Sequence, residues 1–173
     1  MFLRPTEVIQ HLIDRKIILN GMKGADFGCG TGYFTALLSK AVSQEGTIYA
    51  IDIDKETLQQ AEDFISHFGL SNVKFFLRDL EISSGLSENS LDFVFISQVL
   101  YQLEDPTAIL KESNRVLKKK GYLIILEAQE NNFLFSGQKI YKPQEVSSFL
   151  EKTNFKIIEI DQNINYFLII SQK

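Results

Sequence analysis

Hydrophobic positions along the chain follow two periods in turn. From Thr6 to Lys16 the residues Val8, Ile9, Leu12 and Ile13 form one helical stripe, and Thr6 and Glu7 suit its first turn. Short apolar runs rich in β-branched and aromatic residues then recur at Lys23 to Phe27, Thr47 to Ile51, Val73 to Leu77, Leu91 to Ile96 and Tyr122 to Leu126, and read as buried parallel strands. Helices are predicted between them. One covers Tyr33 to Val42, and a second is capped by Asp54, carries Leu58, Ala61, Ile65 and Phe68, and stops at Gly69. A third opens at Asp105-Pro106, a capping residue followed by proline, and a fourth runs from Lys142-Pro143 to Lys152. Phe155 to Ile160 and Tyr166 to Ser171 close the chain as two strands around a turn near Asp161 to Asn165. That makes seven strands.

Repeated βα units with right-handed crossovers predict an α/β fold, a doubly wound Rossmann-like sheet whose ligand crevice lies at the carboxyl ends of the strands where their order reverses. The 173 residues suit one domain over 1–173, led by a helical segment at 1–21. With 45% apolar and 23% charged residues, no run near the roughly 20 residues of a membrane span and no secretory pattern, the expectation is a soluble, cytoplasmic protein. A net charge of −4 argues against general nucleic-acid binding. The basic triplet Lys118, Lys119 and Lys120 reads as a solvated helix terminus. Cys29, the sole cysteine, excludes an internal disulfide and a multi-cysteine metal site, and reads as a small turn residue. His11 and His67, on predicted helices, read as surface or packing residues.

The chemistry concentrates in Ala25-Asp26-Phe27-Gly28-Cys29-Gly30-Thr31-Gly32-Tyr33. Three alternating glycines after a short strand leave no side chains to hold a ligand off the backbone. About twenty residues further on, the run Ile48 to Asp52 ends in a carboxylate, the spacing at which an acid reaches ribose hydroxyls in a βαβ unit. The dinucleotide fingerprint is G-x-G-x-x-G. Here the third glycine comes one residue early, at Gly32, and Tyr33 stands in its place. Asp26 and Asp52, at predicted strand ends, suit a cation without phosphate better than a polyanion. S-adenosylmethionine has the matching parts: a ribose diol, an adenine, an ammonium and a sulfonium.

Five blocks in order resemble the class I S-adenosylmethionine-dependent methyltransferases, in particular their small "type 11" branch, from Met22 to Glu127. They are Ala25 to Gly32, Ala50-Ile51-Asp52-Ile53-Asp54, Leu77-Arg78-Asp79-Leu80, Leu91 to Ser97, and Arg115-Val116-Leu117-Lys118 through Gly121-Tyr122-Leu123. The resemblance implies a strand order of 3-2-1-4-5-7-6 with strand 7 antiparallel, S-adenosylmethionine as cofactor and S-adenosylhomocysteine as product. It places the cofactor against Asp26, Gly28, Cys29, Gly30, Thr31, Gly32, Tyr33, Asp52, Ile53, Asp79, Leu80 and Ser97. Asp52 would take the ribose diol, leaving Asp54 to cap the next helix. Two roles stay open for Asp26, beneath the methionine ammonium or anchoring the glycine turn. Two also stay open for Asp79, against the adenine amino group with the Leu80 amide on a ring nitrogen, or as a solvated loop acid. Thr31 and Ser97 would either contact the methionine end or satisfy local backbone.

The implied reaction is an in-line attack on the sulfonium methyl, so the protein mainly orients two partners and excludes water, worth on the order of 7 to 11 kcal/mol. A general base is needed only for a protonated, weakly acidic nucleophile, and no side chain is assigned a catalytic role. A small organic acceptor, such as a quinone precursor, is expected. Ser97-Gln98-Val99-Leu100 stands where DNA amino methyltransferases carry Asn-Pro-Pro-Tyr, the lone cysteine disfavours arsenic, and Tyr101 replaces a histidine common among related small-molecule enzymes. The acceptor site is expected from the leading helix, Gln98 to Gln102, and the connection Ala128 to Tyr141. That connection, with Asn131, Asn132, Phe133, Phe135 and Tyr141, makes 128–142 either a lid or a plain surface loop. The pocket is either open or completed by a second subunit in a homodimer. The rival readings are a non-catalytic S-adenosylmethionine-binding partner or activator subunit, and a nicotinamide oxidoreductase, which needs the other glycine spacing.

Overall fold

The structure, a computed structural model, describes residues 4–129, 137 and 139–173. In chain order the elements are α1 (Pro5–Asp14), β1 (Lys23–Phe27), α2 (Tyr33–Val42), β2 (Thr47–Asp52), α3 (Lys55–His67), β3 (Val73–Leu77), β4 (Leu91–Ser97), a 3-10 turn (Leu100–Gln102), α4 (Pro106–Val116), β5 (Leu117–Ala128), α5 (Pro143–Lys152), β6 (Lys156–Gln162) and β7 (Tyr166–Gln172). The helix starts follow local chemistry. Asp54 accepts a hydrogen bond from the Thr57 amide at 2.7 Å, and Asp105 accepts one from the Thr107 amide at 2.9 Å with Pro106 in the first turn. Helix α1 begins one residue before the sequence pattern suggests, because Pro5 needs no amide partner there and the Glu7 carboxylate reaches back to the Arg4 amide.

The seven strands form one sheet in the order β3-β2-β1-β4-β5-β7-β6. Strand β7 runs antiparallel to both neighbours, and the other pairs are parallel. This is the arrangement that the resemblance implied. Strand alternation feeds two cores. On β4, Val94 and Ile96 face one cluster and Phe93 and Phe95 the other; on β5, Leu123 and Ile125 oppose Ile124 and Leu126. Ile109 and Leu110 of α4 and Val146 and Leu150 of α5 cover the first face, while Val8 and Leu12 of α1 and Leu38 and Val42 of α2 cover the second. The chain winds outward from β1 to β3 and then restarts at β4 on the other side of β1. The crevice between β1 and β4 is therefore the switch point.

Two expectations need correction. The lysine triplet lies beyond α4: Leu117 is already extended and pairs with Leu91, so Lys118 to Lys120 open β5, and Lys118 Nζ meets Asp92 Oδ1 at 2.7 Å. Strand β3 is an edge, partly exposed rather than buried, because nothing among the described residues pairs with its outer side. His11 packs where α1 meets β6 and adds a polar contact that the sequence did not show: its Nε2 lies 3.0 Å from Glu159 Oε1 while Arg15 Nε donates to Glu159 Oε2 at 2.9 Å. That pairing ties α1 to β6 across 148 positions of sequence. No helix among the described residues is long and apolar enough to cross a membrane.

Because Glu159 gathers two partners in a partly screened setting, Glu159→Ala should lower stability by about 0.5 to 1 kcal/mol. Urea titration of both chains measures it, and an unchanged midpoint would show that α1 is held by its apolar stripe alone.

Candidate functional site

A cavity of about 620 Å³ opens at the carboxyl ends of β1, β2 and β4, at the switch point. Its floor is the turn after β1, fastened to β2 where the amides of Gly28 and Cys29 both donate to the Ile51 carbonyl, at 2.8 and 3.0 Å. The glycines of this turn divide the work. A Cβ on Gly28 would lie 2.3 Å from Val99 Cγ2, and one on Gly32 would lie 3.1 Å from the Ala61 Cβ, so both permit close packing. A Cβ on Gly30 (φ +53°) would meet nothing within 4 Å. It would stand in the cavity. Eleven of the twelve residues picked out from the sequence line this space; Gly32 does not, because it is buried where α2 approaches α3.

Asp52, at the end of β2, accepts from the Gly30 amide at 2.9 Å through Oδ2 and from the Asp54 amide at 3.0 Å through Oδ1. An ionised carboxylate offers about four acceptor positions, so two remain for a diol. Asp54 caps α3, as its place in the sequence suggested. Asp26 is 1% exposed and accepts from Thr35 Oγ1 at 2.6 Å, one turn into α2, rather than from an amide of the glycine turn. Burial pushes its pKa up to about 7 against the pull of Thr35, with the Asp52 charge adding to the rise. Burial, with the charges of Asp26 and Asp52 adding to it, pushes the Cys29 thiol pKa up and keeps the thiol protonated and unreactive.

Around the rim, Tyr33 and Ile53 are exposed, and Asp79 accepts from the Glu81 amide at 2.9 Å in a tight turn that carries Leu80 to the cavity wall. Thr31 and Ser97 also line the space, and neither hydroxyl has a hydrogen-bond partner among the described residues. Of the expected lid, Asn131, Asn132, Phe133 and Phe135 lie outside the described residues. Tyr141 is not at the site at all. It is buried against Phe149 with ring centroids 5.4 Å apart, part of the α4–α5 core.

The segment after β4, expected at the acceptor side, does line the cavity, but what holds it there was not read from the sequence. Gln98 takes a left-handed backbone (φ +59°), and its amide group spans to β5, donating to the Leu126 carbonyl at 3.2 Å and accepting from the Ala128 amide at 3.1 Å. Glu127, 4% exposed, accepts from the amides of Val99 and Leu100, both at 2.9 Å. Burial raises its pKa to about 7 although those amides pull the other way. The segment bearing Val99, Tyr101, Gln102 and Leu103 thus hangs from the end of β5 and closes one side of the cavity. A glutamate inside the apolar run Leu123 to Ala128 was the available signal.

The lining fits S-adenosylmethionine better than a dinucleotide. Asp26, Asp52, Asp54, Asp79 and Glu81 face the cavity against a single cation, Arg78, among the described residues. Such a field repels a pyrophosphate and attracts an ammonium and a sulfonium.

A model of the methyltransferase domain matches residues 18–167. The chain belongs to the methyltransferase-domain family. As the resemblance implied, its cofactor is S-adenosylmethionine. This methyltransferase domain is 35% identical over 127 residues to a demethylmenaquinone methyltransferase of Staphylococcus aureus (strain MRSA252), covering 70% of the chain and 52% of that protein. It is 32% identical over 127 residues to one from Geobacillus stearothermophilus, covering 73% and 53%. It therefore spans about half the length of the relatives it matches. The crystal structure of a SAM-dependent methyltransferase from Aquifex aeolicus superposes with a TM-score of 0.82 over 99% of both chains at 24% identity, which supports the fold.

In this methyltransferase domain, Gly30→Val should fold yet lose S-adenosylhomocysteine binding in calorimetry, since the left-handed backbone costs a side chain only about 1 to 2 kcal/mol while the cradle is filled. Asp52→Ala should weaken that binding by about 1 to 3 kcal/mol. Unchanged affinity in either variant would place the ligand elsewhere. Asp26 and Glu127 both have folded pKa values raised from 3.8 and 4.5 to about 7, so between these values the folded chain holds more protons than the unfolded one. Stability should therefore fall as pH rises from about 4 to 7 and level off above, and Asp26→Asn should flatten the slope in denaturant titrations across that window.

Proposed function

We propose that the chain transfers the methyl group of S-adenosylmethionine to a small organic acceptor, working as one domain over 1–173. The observation that carries this reading is the pairing of an open glycine at position 30 with the Asp52 carboxylate 2.9 Å from its amide. Backbone and acid together form a seat for a nucleoside sugar. When bound, the cofactor supplies an activated methyl on a positively charged sulfur. Asp52 would hold the ribose with its two remaining acceptor positions, Asp26 would face the ammonium, and Asp79 with Leu80 would border the adenine. Cation binding favours the ionised form of Asp26, so the affinity should rise as pH passes through about 7.

The chain's own contribution to the chemistry is orientation and the exclusion of water. The wall hung from Glu127 and Gln98 fixes one side of the reacting space, and a group held to near-attack distance gains on the order of 7 kcal/mol or more. No base is required if the acceptor arrives ionised. The names of the relatives make quinol-type rings the first acceptors to try. A negative overall charge and an acidic lining favour such a molecule over a nucleic acid.

Formation of S-adenosylhomocysteine should depend on an added acceptor from a panel of quinols, phenols and amines, followed by mass spectrometry of the methylated product. Tight cofactor binding with no turnover across the panel would instead favour the activator-subunit reading.

A further inference from the structure

A second cavity, about 160 Å³, lies where α1 crosses the carboxyl edge of the sheet. Pro5 and Val8 of α1, Phe34 of α2, Leu126 at the end of β5 and the ring of Tyr166 at the start of β7 give it apolar walls. It shares Phe34, Ser97 and Gln98 with the larger cavity. Two other cavities, one beside Gln129, Tyr141 and Gln162 and one beside Asp14, Tyr122 and Glu159, share no residue with it. The shared residues are not free to wander. Gln98 is bonded at both ends of its amide to β5, and the Phe34 ring packs on Phe95 with centroids 4.9 Å apart.

Resting on the methyltransferase reading above, we propose that this second cavity is the acceptor site and that it takes a single aromatic ring bearing an acidic hydroxyl. Size sets the first part of the claim. An apolar cavity of about 150 Å³ holds one benzene ring, whereas a fused bicycle needs more room. Polarity sets the second. Among the described residues the lining contains no carboxylate, histidine or lysine; its one charge is Arg4 at the rim, and its hydroxyls are Ser97 and Tyr166. A cationic acceptor has no counter-charge there, and a neutral alcohol has no base to take its proton. An ionised phenol meets both conditions, with Arg4 complementing its charge and the Ser97 hydroxyl, which lies at the junction of the two cavities and has no partner among the described residues, donating to its oxygen. The phenolate lone pair forms the new oxygen–carbon bond while the carbon–sulfur bond breaks with its electron pair left on sulfur. No proton moves in that step.

The test is calorimetry of the full chain saturated with S-adenosylhomocysteine, using 4-nitrophenol and 1-naphthol as probes. We expect 4-nitrophenol to bind more tightly than 1-naphthol, with affinity rising as pH ionises the phenol. Val8→Phe, which fills the cavity without touching the larger one, should weaken 4-nitrophenol binding on the order of 30-fold while S-adenosylhomocysteine binds as before. Tyr166→Ala, which widens the cavity, should reverse the preference between the probes, and this variant carries the test if Val8→Phe does not fold. Equal 4-nitrophenol binding by the native chain and a folded Val8→Phe, or an unchanged preference in Tyr166→Ala, overturns the proposal. Failure of the native chain to bind S-adenosylhomocysteine overturns the methyltransferase reading instead.

Discussion

The carboxylate of Asp52 ties together everything that the site needs. One oxygen holds the amide of Gly30 and the other the amide of Asp54, so a single acid at the end of β2 sets both the glycine turn after β1 and the start of α3. The turn is also fixed from behind, where the Ile51 carbonyl takes two amides from Gly28 and Cys29. A loop with three glycines has many conformations open to it, and the three bonds from the amides of Gly28, Cys29 and Gly30 select one. The amides of Gly28, Cys29 and Gly30 are all spent on the β2 side, which leaves the cavity face of the turn bare at Gly30.

A second anchoring, of similar design, operates across the crevice. Gln98 and Glu127 join the segment after β4 to the end of β5, again with side-chain groups bonded to backbone amides. The two walls are thus held by different strands of one rigid sheet. Burial of Asp26 and Glu127 is costly when they are ionised, and a cation in the cavity offsets part of that cost for Asp26. Stability and ligand affinity are therefore in tension at this carboxylate, as is usual where a buried acid awaits a charged partner.

Most of the strand pattern was legible because buried parallel strands produce short, dense apolar runs, and the helix starts because Asp54 and Asp105-Pro106 carry local capping chemistry. The glycine block and the acid twenty residues later were legible for the same reason: their geometry is contained within one βαβ unit. What escaped was non-local. The Glu159 contact to His11 and Arg15, the Glu127 hold on Val99 and Leu100, and the packing of Gly32 on Ala61 each join segments that no periodicity connects. The lysine triplet was misplaced because three cations after a helix look alike whether they end it or open the next strand. Strand β3 was misjudged because apolar content does not distinguish an edge from an interior position.

The antiparallel strand β7 sits inside the sheet, between β5 and β6, although it follows both of them along the chain. Until its residues dock, β5 presents an open flank and β6 has no neighbour to pair with. A chain in which residues 166–172 have not yet docked exposes the unpaired apolar edge of β5, which invites association with other chains. Docking of β7 closes the flank of β5 and gives β6 its partner in one step.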